Sequence, residues 1–327
     1  MEKNKSVAIA ITVIVISSLV LVAVWYPSTV PDARIGYLSQ DLHQLALRVA
    51  VEKGWFVEEG INVELVQYGN GALEMDGFNG GQIDLGYLGA APAITKRLNQ
   101  DIMITILAAV NLEGSAIMGL KSEYDAGRVT TIADLAGKTV YQPGPSTVQN
   151  FLLRLALNQS GLTYEDITPE TTSPSYMADS LTEDAPAFVA WEPFNARAEY
   201  EEKAVPLVQS GDIWPNHPCC VVASTNTFLA EHPDIVQKVI DVHKRAEEWI
   251  VANPADAIQI AMDWLMMDET PVTTAFNNII FDYNLNMTGL ERYLSFLIDE
   301  GQVTMDPTEI DSFFDSFVNT TFIENAE

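Results

Sequence analysis

Cysteine is almost missing from this 327-residue chain: there are two, and they are adjacent, Cys219-Cys220. A disulfide framework is thereby excluded. A vicinal disulfide would close a strained ring, and the pair reads instead as two small residues buried at the start of a strand. Two neighbouring thiols with no His or Cys cluster beside them in sequence make no metal motif, so no metal site is expected. Basic residues are scarce as well, 17 Lys and Arg against 45 Asp and Glu, for a formal net charge of −28. Such a chain cannot neutralise nucleic-acid phosphates or anionic lipid headgroups, which excludes both as partners. The acids are scattered rather than gathered in a tail and read as a solvated surface. Tandem repeats and low-complexity tracts are absent. So are a phosphate-cradling glycine motif, a Ser/His/Asp arrangement and metal-spaced His/Glu sets. Nothing marks an enzyme, and no cofactor is expected.

What is present begins at the N-terminus. Lys3 and Lys5 precede Val7–Val24, an apolar run whose only polar members are Thr12, Ser17 and Ser18. Its length suits a signal-peptide core or a minimal membrane span. The lysines would hold the N-terminus inside and put everything after Pro27 outside. No cysteine follows for lipid attachment, and Val22-Ala23-Val24-Trp25 is a poor cleavage site. Residues 1–32 are therefore read as an uncleaved anchor and tether, with a cleaved signal as the alternative. Three sequons, at Asn158, Asn286 and Asn319, permit glycosylation and no more.

The rest is organised around Gly81–Ile94. The alternating Ile83, Leu85 and Tyr87 form a strand that breaks at Gly89-Ala90-Ala91 into the helical pattern Ala90–Leu98. A strand that turns into a helix at small residues leaves free N–H groups facing open space, where a small polar or anionic ligand can sit. The geometry recurs. Strand Ala33–Leu38 meets Ser39-Gln40-Asp41 and a helix, and Lys138–Tyr141 meets Gln142-Pro143-Gly144-Pro145-Ser146-Thr147 and a helix. Strands are also expected at Asn62–Tyr68, Ile102–Val110, Ser115–Leu120, Ala187–Ala190, Val205–Gln209 and Val221–Ser224. Alternating strands and helices predict an α/β fold with mainly parallel sheets. After Ser224 the pattern is helical. Thr288–Glu291 has capping-box spacing, and Ile310, Phe313, Phe314 and Phe317 form an apolar stripe read as core.

Gly54-Trp55-Phe56…Glu59-Gly60-Ile61-Asn62-Val63-Glu64, Gly81–Tyr87, Thr131–Val140 and Trp191-Glu192-Pro193 come in an order that resembles the solute-binding proteins of ABC importers. The subgroup is the one that takes up nitrate, sulfonates, taurine, bicarbonate and thiamine-precursor pyrimidines. The resemblance runs from about Arg34 to Asn253 and implies a two-lobed, type II periplasmic-binding fold. Lobe I would comprise 33–112 with 222–327, and lobe II 113–221. The crossovers would fall near Leu112–Ser115 and Cys219–Val222. Between the lobes a small polar solute would be captured by lobe closure and handed to an ABC permease, with its cytoplasmic ATPase, by a monomer outside the cell membrane. A pyrimidine binder is the alternative, followed by an enzyme of the same fold or a ligand sensor. One departure concerns Glu183-Asp184-Ala185-Pro186-Ala187, where relatives usually read Gly-x-Val-Asp-Ala; this leaves one pocket wall open.

Candidate ligand contacts lie at the corners and the crossover. Gln40 and His43 open the first helix, and Gly89, Ala90 and Ala91 would offer backbone N–H groups. Gly144, Ser146 and Thr147 would do so from the opposing lobe, where Ser146 and Thr147 also suit plain helix capping. Tyr176 and Trp191 would form flat walls, and Glu192 would accept from an amine or amide. Asn111 and Glu113 stand beside the first crossover. None of the corners contains Lys or Arg, so an anion would rely on helix N-termini, hydroxyls and a protonated His43.

Overall fold

The computed structural model describes residues 30–327. The apolar run Val7–Val24 lies outside them, and among the described residues no helix is long and apolar enough to cross a membrane. Eleven strands form two sheets. The first contains β1 (Ala33–Leu38), β2 (Val63–Tyr68), β3 (Leu85–Gly89), β4 (Ile104–Glu113), β10 (Pro218–Thr225) and β11 (Ile279–Phe281), in the order β11-β4-β10-β3-β1-β2. The second contains β5 (Ser115–Leu120), β6 (Thr139–Gln142), β7 (Thr168–Thr171), β8 (Ala187–Trp191) and β9 (Ala204–Gln209), in the order β7-β6-β8-β5-β9.

Burial follows position in the sheet. The central β3 is buried at every residue and β4 at all but its last, as their continuous apolar sequences require. The edge strand β2 keeps Glu64 and Gln67 exposed. Both sheets are mixed rather than mainly parallel. β1 pairs in parallel with β2 and β3, and β6 with β7 and β8, but β10 and β5 run antiparallel to their neighbours. The reason is the route of the chain. It passes from β4 to β5 through Gly114 alone, and from β9 to β10 through the short helix Ser210–Ile213, so each sheet receives a returning strand without a crossover helix.

Strand β10 starts at Pro218, so the second passage falls before the Cys219–Val222 point expected from the sequence. β7 and β11 were not expected; β7 is exposed at every residue and carries no apolar alternation. The helix over Met287–Asp299 is capped by Asn286, whose side chain accepts from the Gly289 N–H at 3.0 Å, rather than by Thr288 and Glu291. Phe313, Phe314 and Phe317 are buried against one another at centroid distances of 4.9–6.4 Å, and Val318 bridges to Ile106 of β4. The C-terminal helices thus close the core of the first sheet.

The helix Pro233–Ala252 carries two polar groups into that core. His43 is not among them; they are His243 and Glu247, one turn apart and both buried. The His243 Nε2–H donates to the Ala109 carbonyl at 2.8 Å, leaving Nδ1 without a partner, and both Glu247 oxygens lack one too. Burial depresses the His243 pKa to about 4, against the bond to Ala109, while burial first and Asp282 second push the Glu247 carboxyl well up. The two act oppositely on stability. A depressed histidine lets the unfolded chain bind the extra proton, so stability is lost as pH falls from 6.5 towards about 4. A raised carboxyl keeps its proton only in the fold, so stability is lost as pH climbs above the ordinary carboxylate range. Glu247→Gln removes the second effect alone. Urea melts should show a variant-minus-wild-type difference that grows in the variant's favour from about pH 5 to pH 8; a flat difference would mean that Glu247 is ionised in the fold.

Candidate functional site

Three strand-to-helix corners converge where the two sheets face each other. At the end of β1, the Asp41 side chain accepts from the His43 N–H at 3.0 Å and caps the turn Leu42–Gln44. At the end of β3, Gly89 caps the helix Ala90–Gln100. After β6, Thr147 caps the helix Val148–Gln159, its hydroxyl accepting from the Asn150 N–H at 3.3 Å. Between them lies a small pocket of about 20 Å³ lined by Leu38, Asp41, His43, Asn70, Gly71, Gly89, Pro92, Thr147, Val148, Gln149, Trp191, Cys219 and Cys220. That is room for a single water-sized group. Both sheets contribute to its wall.

The faces are held together by specific bonds. The Leu42 N–H donates to the Glu192 carbonyl at 3.2 Å, and the His43 Nε2–H donates to the Gly114 carbonyl at 2.9 Å. The Glu192 carboxylate accepts from Asn278 Nδ2 at 2.7 Å and from the Ala196 N–H at 3.0 Å. Farther out, Arg154 pairs with Glu300 at 2.7 Å. Phe151 packs edge-on against Tyr293 and Phe296, with centroids 4.2 and 4.4 Å away. The cleft is shut.

Of the residues singled out from the sequence, His43, Gly89, Thr147 and Trp191 line the pocket. The others sit elsewhere, for identifiable reasons. Gln40 is exposed with φ of 52° and lines a separate open cleft of about 370 Å³ with Phe194, Arg197 and Met266. Ala90 and Ala91 pack into the core. Asn111 is buried with its side chain committed to backbone: its oxygen accepts from the Cys220 N–H and its amide donates to the Leu112 and Glu113 carbonyls. The Glu113 carboxylate accepts from the Asn216 N–H at 2.7 Å. Gly144 and Ser146 do not reach the pocket lining; the Gly144 N–H donates to Gln142 Oε1. Tyr176 is 66% exposed and forms no wall. Glu192 is buried, and its carboxylate is spent as a latch rather than offered to a ligand.

The sequence reading missed Asp41 and the two cysteines. His43 Nδ1 lies 3.3 Å from Asp41 Oδ1, 3.7 Å from Cys219 Sγ and 3.9 Å from Cys220 Sγ, all buried. Burial works against charge on the ring, but Cys219 and Asp41 outweigh it and raise the His43 pKa to about 9. Burial lifts Asp41 to about 7, with His43 opposing. Hydrogen bonding from Cys220, together with the His43 charge, holds the Cys219 thiol well below its ordinary range, while Cys220 is pushed up. The two thiols therefore differ in direction: the surroundings favour the thiolate at Cys219 and disfavour it at Cys220. Trp191 adds one more polar group, a buried indole N–H with no acceptor.

Two mixed sheets with helices around them, meeting at a pocket lined by helix N-termini, have the periplasmic-binding-protein fold. The periplasmic nitrate-binding protein NrtA of Synechocystis PCC 6803 superimposes with a TM-score of 0.78 at 16% identity, covering 90% of this chain and 88% of that one. Residues 27–266 match the NMT1-like family model, and the chain belongs to that family. Among curated relatives, a Brucella abortus (strain 2308) protein described as a binding protein is 26% identical over 251 residues, 75% of each chain. A Bacillus subtilis (strain 168) protein described as binding aliphatic sulfonates is 25% identical over 257 residues, 76% of this chain and 74% of that one.

Proposed function

We propose that this chain is the substrate-binding component of an ABC-type importer, capturing a small oxyanion of the nitrate or sulfonate kind between its lobes. The observation that carries the reading is the Trp191 indole N–H, buried without an acceptor in the wall of the inter-lobe pocket. A native structure seldom leaves such a donor unpaired, and an anionic oxygen would satisfy it. The helix N-termini at Gly89 and Thr147 would supply further N–H donors, and no Lys or Arg stands in the lining. The relatives described as binding nitrate and aliphatic sulfonates agree with this class of solute. Delivery to membrane permease subunits and their ATPase follows from the same reading. So do a location outside the cell membrane, attachment through residues 7–24, and action as a monomer. The mechanism is lobe closure, with no bond made or broken. The lobes proposed are 33–112 with 222–327, and 113–221.

The test is a thermal-shift panel of nitrate, bicarbonate, methanesulfonate, taurine and an aminopyrimidine on the purified protein. A ligand at 100 times its dissociation constant stabilises by about 2.7 kcal/mol. A hit should weaken about 10- to 100-fold in Trp191→Phe, which keeps the ring and loses the donor. Anion binding that Trp191→Phe leaves untouched would remove the pocket from the reading, and a response to the aminopyrimidine alone would replace the oxyanion with a heterocycle.

A further inference from the structure

We infer that His43, Cys219 and Cys220 form a binding site for a thiophilic closed-shell cation of the Zn²⁺ class. The inference does not rest on the identity of the solute. Strand β10 brings both sulfurs to the ring of His43 from a sequence distance at which no motif could show it. The donor atoms stand 3.7 Å (Cys219 Sγ to Nδ1), 3.9 Å (Cys220 Sγ to Nδ1) and 4.0 Å (Sγ to Sγ) apart. Tetrahedral coordination, with Zn–S of about 2.3 Å and Zn–N of about 2.0–2.1 Å, needs separations of about 3.6 Å for S···N and about 3.8 Å for S···S. The triangle is already within a few tenths of an ångström of that size.

The tautomer is set for the same purpose. Gly114 offers a carbonyl, which can only accept, so Nε2 must carry a proton. That fixes the Nδ1 lone pair, in the neutral ring, towards the two sulfurs and Asp41 Oδ1. A ring N–H held by a backbone carbonyl while the other nitrogen faces thiols is the arrangement by which proteins orient a metal-ligating histidine. Around Nδ1 therefore stand two sulfurs and a carboxylate oxygen. A divalent cation bound there is neutralised by two thiolates, whose protons leave to solvent. No bond to carbon breaks and no electron moves. Three protein donors leave a fourth position, and the pocket beside them has room for one small group.

The experiment titrates Co²⁺, then Zn²⁺, into the reduced full-length chain in detergent, after chelator treatment. Expected are a thiolate-to-cobalt charge-transfer band and intense visible bands of tetrahedral cobalt, saturating at one equivalent and abolished by Zn²⁺. Cys219→Ser and Cys220→Ser should each weaken uptake by more than the roughly 100-fold that loss of an outer-shell partner costs. Tyr176→Phe, on the exposed surface, should not change it. The inference is overturned if the reduced wild-type protein, with its near-ultraviolet circular dichroism intact, gives no thiolate–cobalt band. A band that survives the double Cys219→Ser/Cys220→Ser variant overturns it equally. Should the variants fail to fold, the wild-type spectrum still decides. The solute panel run on metal-free protein keeps the two readings apart: metal uptake without any solute response sinks the importer reading and leaves this one standing.

Discussion

Gly114→Ala is expected to destabilise the protein by roughly 2–5 kcal/mol, the largest effect of any single methyl group at this site. Two costs combine. Gly114 has φ of 82°, a left-handed conformation that L side chains resist. A Cβ built on it would also overlap His43 Nε2 and come within 2.8 Å of Ile279 Cγ1. Neither neighbour can yield cheaply. The His43 ring is buried and bonded to the carbonyl of Gly114 itself, and Ile279 begins β11, which pairs with β4. Urea unfolding gives the energy, and the His43→Ala background gives the cause. There the overlap with the ring is gone, so Gly114→Ala should cost visibly less. A loss that is identical in both backgrounds would assign the whole effect to the backbone.

Glu192→Ala should cost about 2–4 kcal/mol and loosen the contact between the lobes. The carboxylate lies next to the pocket-lining Trp191, and its two oxygens serve opposite sides of the cleft. One accepts from Ala196 within the helix Phe194–Tyr200, and the other from Asn278 at the threshold of β11 in the first sheet. Alanine strands the buried Ala196 N–H and the half-buried Asn278 amide. Glutamine keeps an acceptor for one of them, so Glu192→Gln should lose less than Glu192→Ala. Small-angle scattering should show a larger radius of gyration for Glu192→Ala than for wild type. A variant equally stable and equally compact would show that the aromatic packing of Phe151 and the Arg154–Glu300 pair hold the lobes without this latch.

Legibility in the sequence followed the range of the interactions. The strand-to-helix corners at Gly89 and Thr147 were readable because alternation, small residues and a capping hydroxyl all lie within a few positions of one another. The buried Phe313, Phe314 and Phe317 stripe was readable for the same reason. Strand direction was not. Whether β10 runs with or against β3 depends on how the chain returns from the second sheet, which no local pattern encodes. Gln40, Tyr176 and Glu192 were sensible ligand contacts by residue type, yet the fold exposes the second and employs the third as a latch. The cysteine pair shows the limit best. Its neighbours in sequence hold no metal-binding spacing, and the missing imidazole arrives from the turn after β1, two strands away in the first sheet.

The shut cleft also fixes the order of events during capture. A pocket of about 20 Å³ has no room for an oxyanion of four or more heavy atoms, so on the proposed importer reading the lobes must part before solute is held. Encounter must wait for the Leu42–Glu192, His43–Gly114 and Glu192–Asn278 bonds to part together. Loading is then timed by an internal clock. If the chain captures solute as proposed, the observed association rate should climb with solute concentration to a ceiling set by the opening rate.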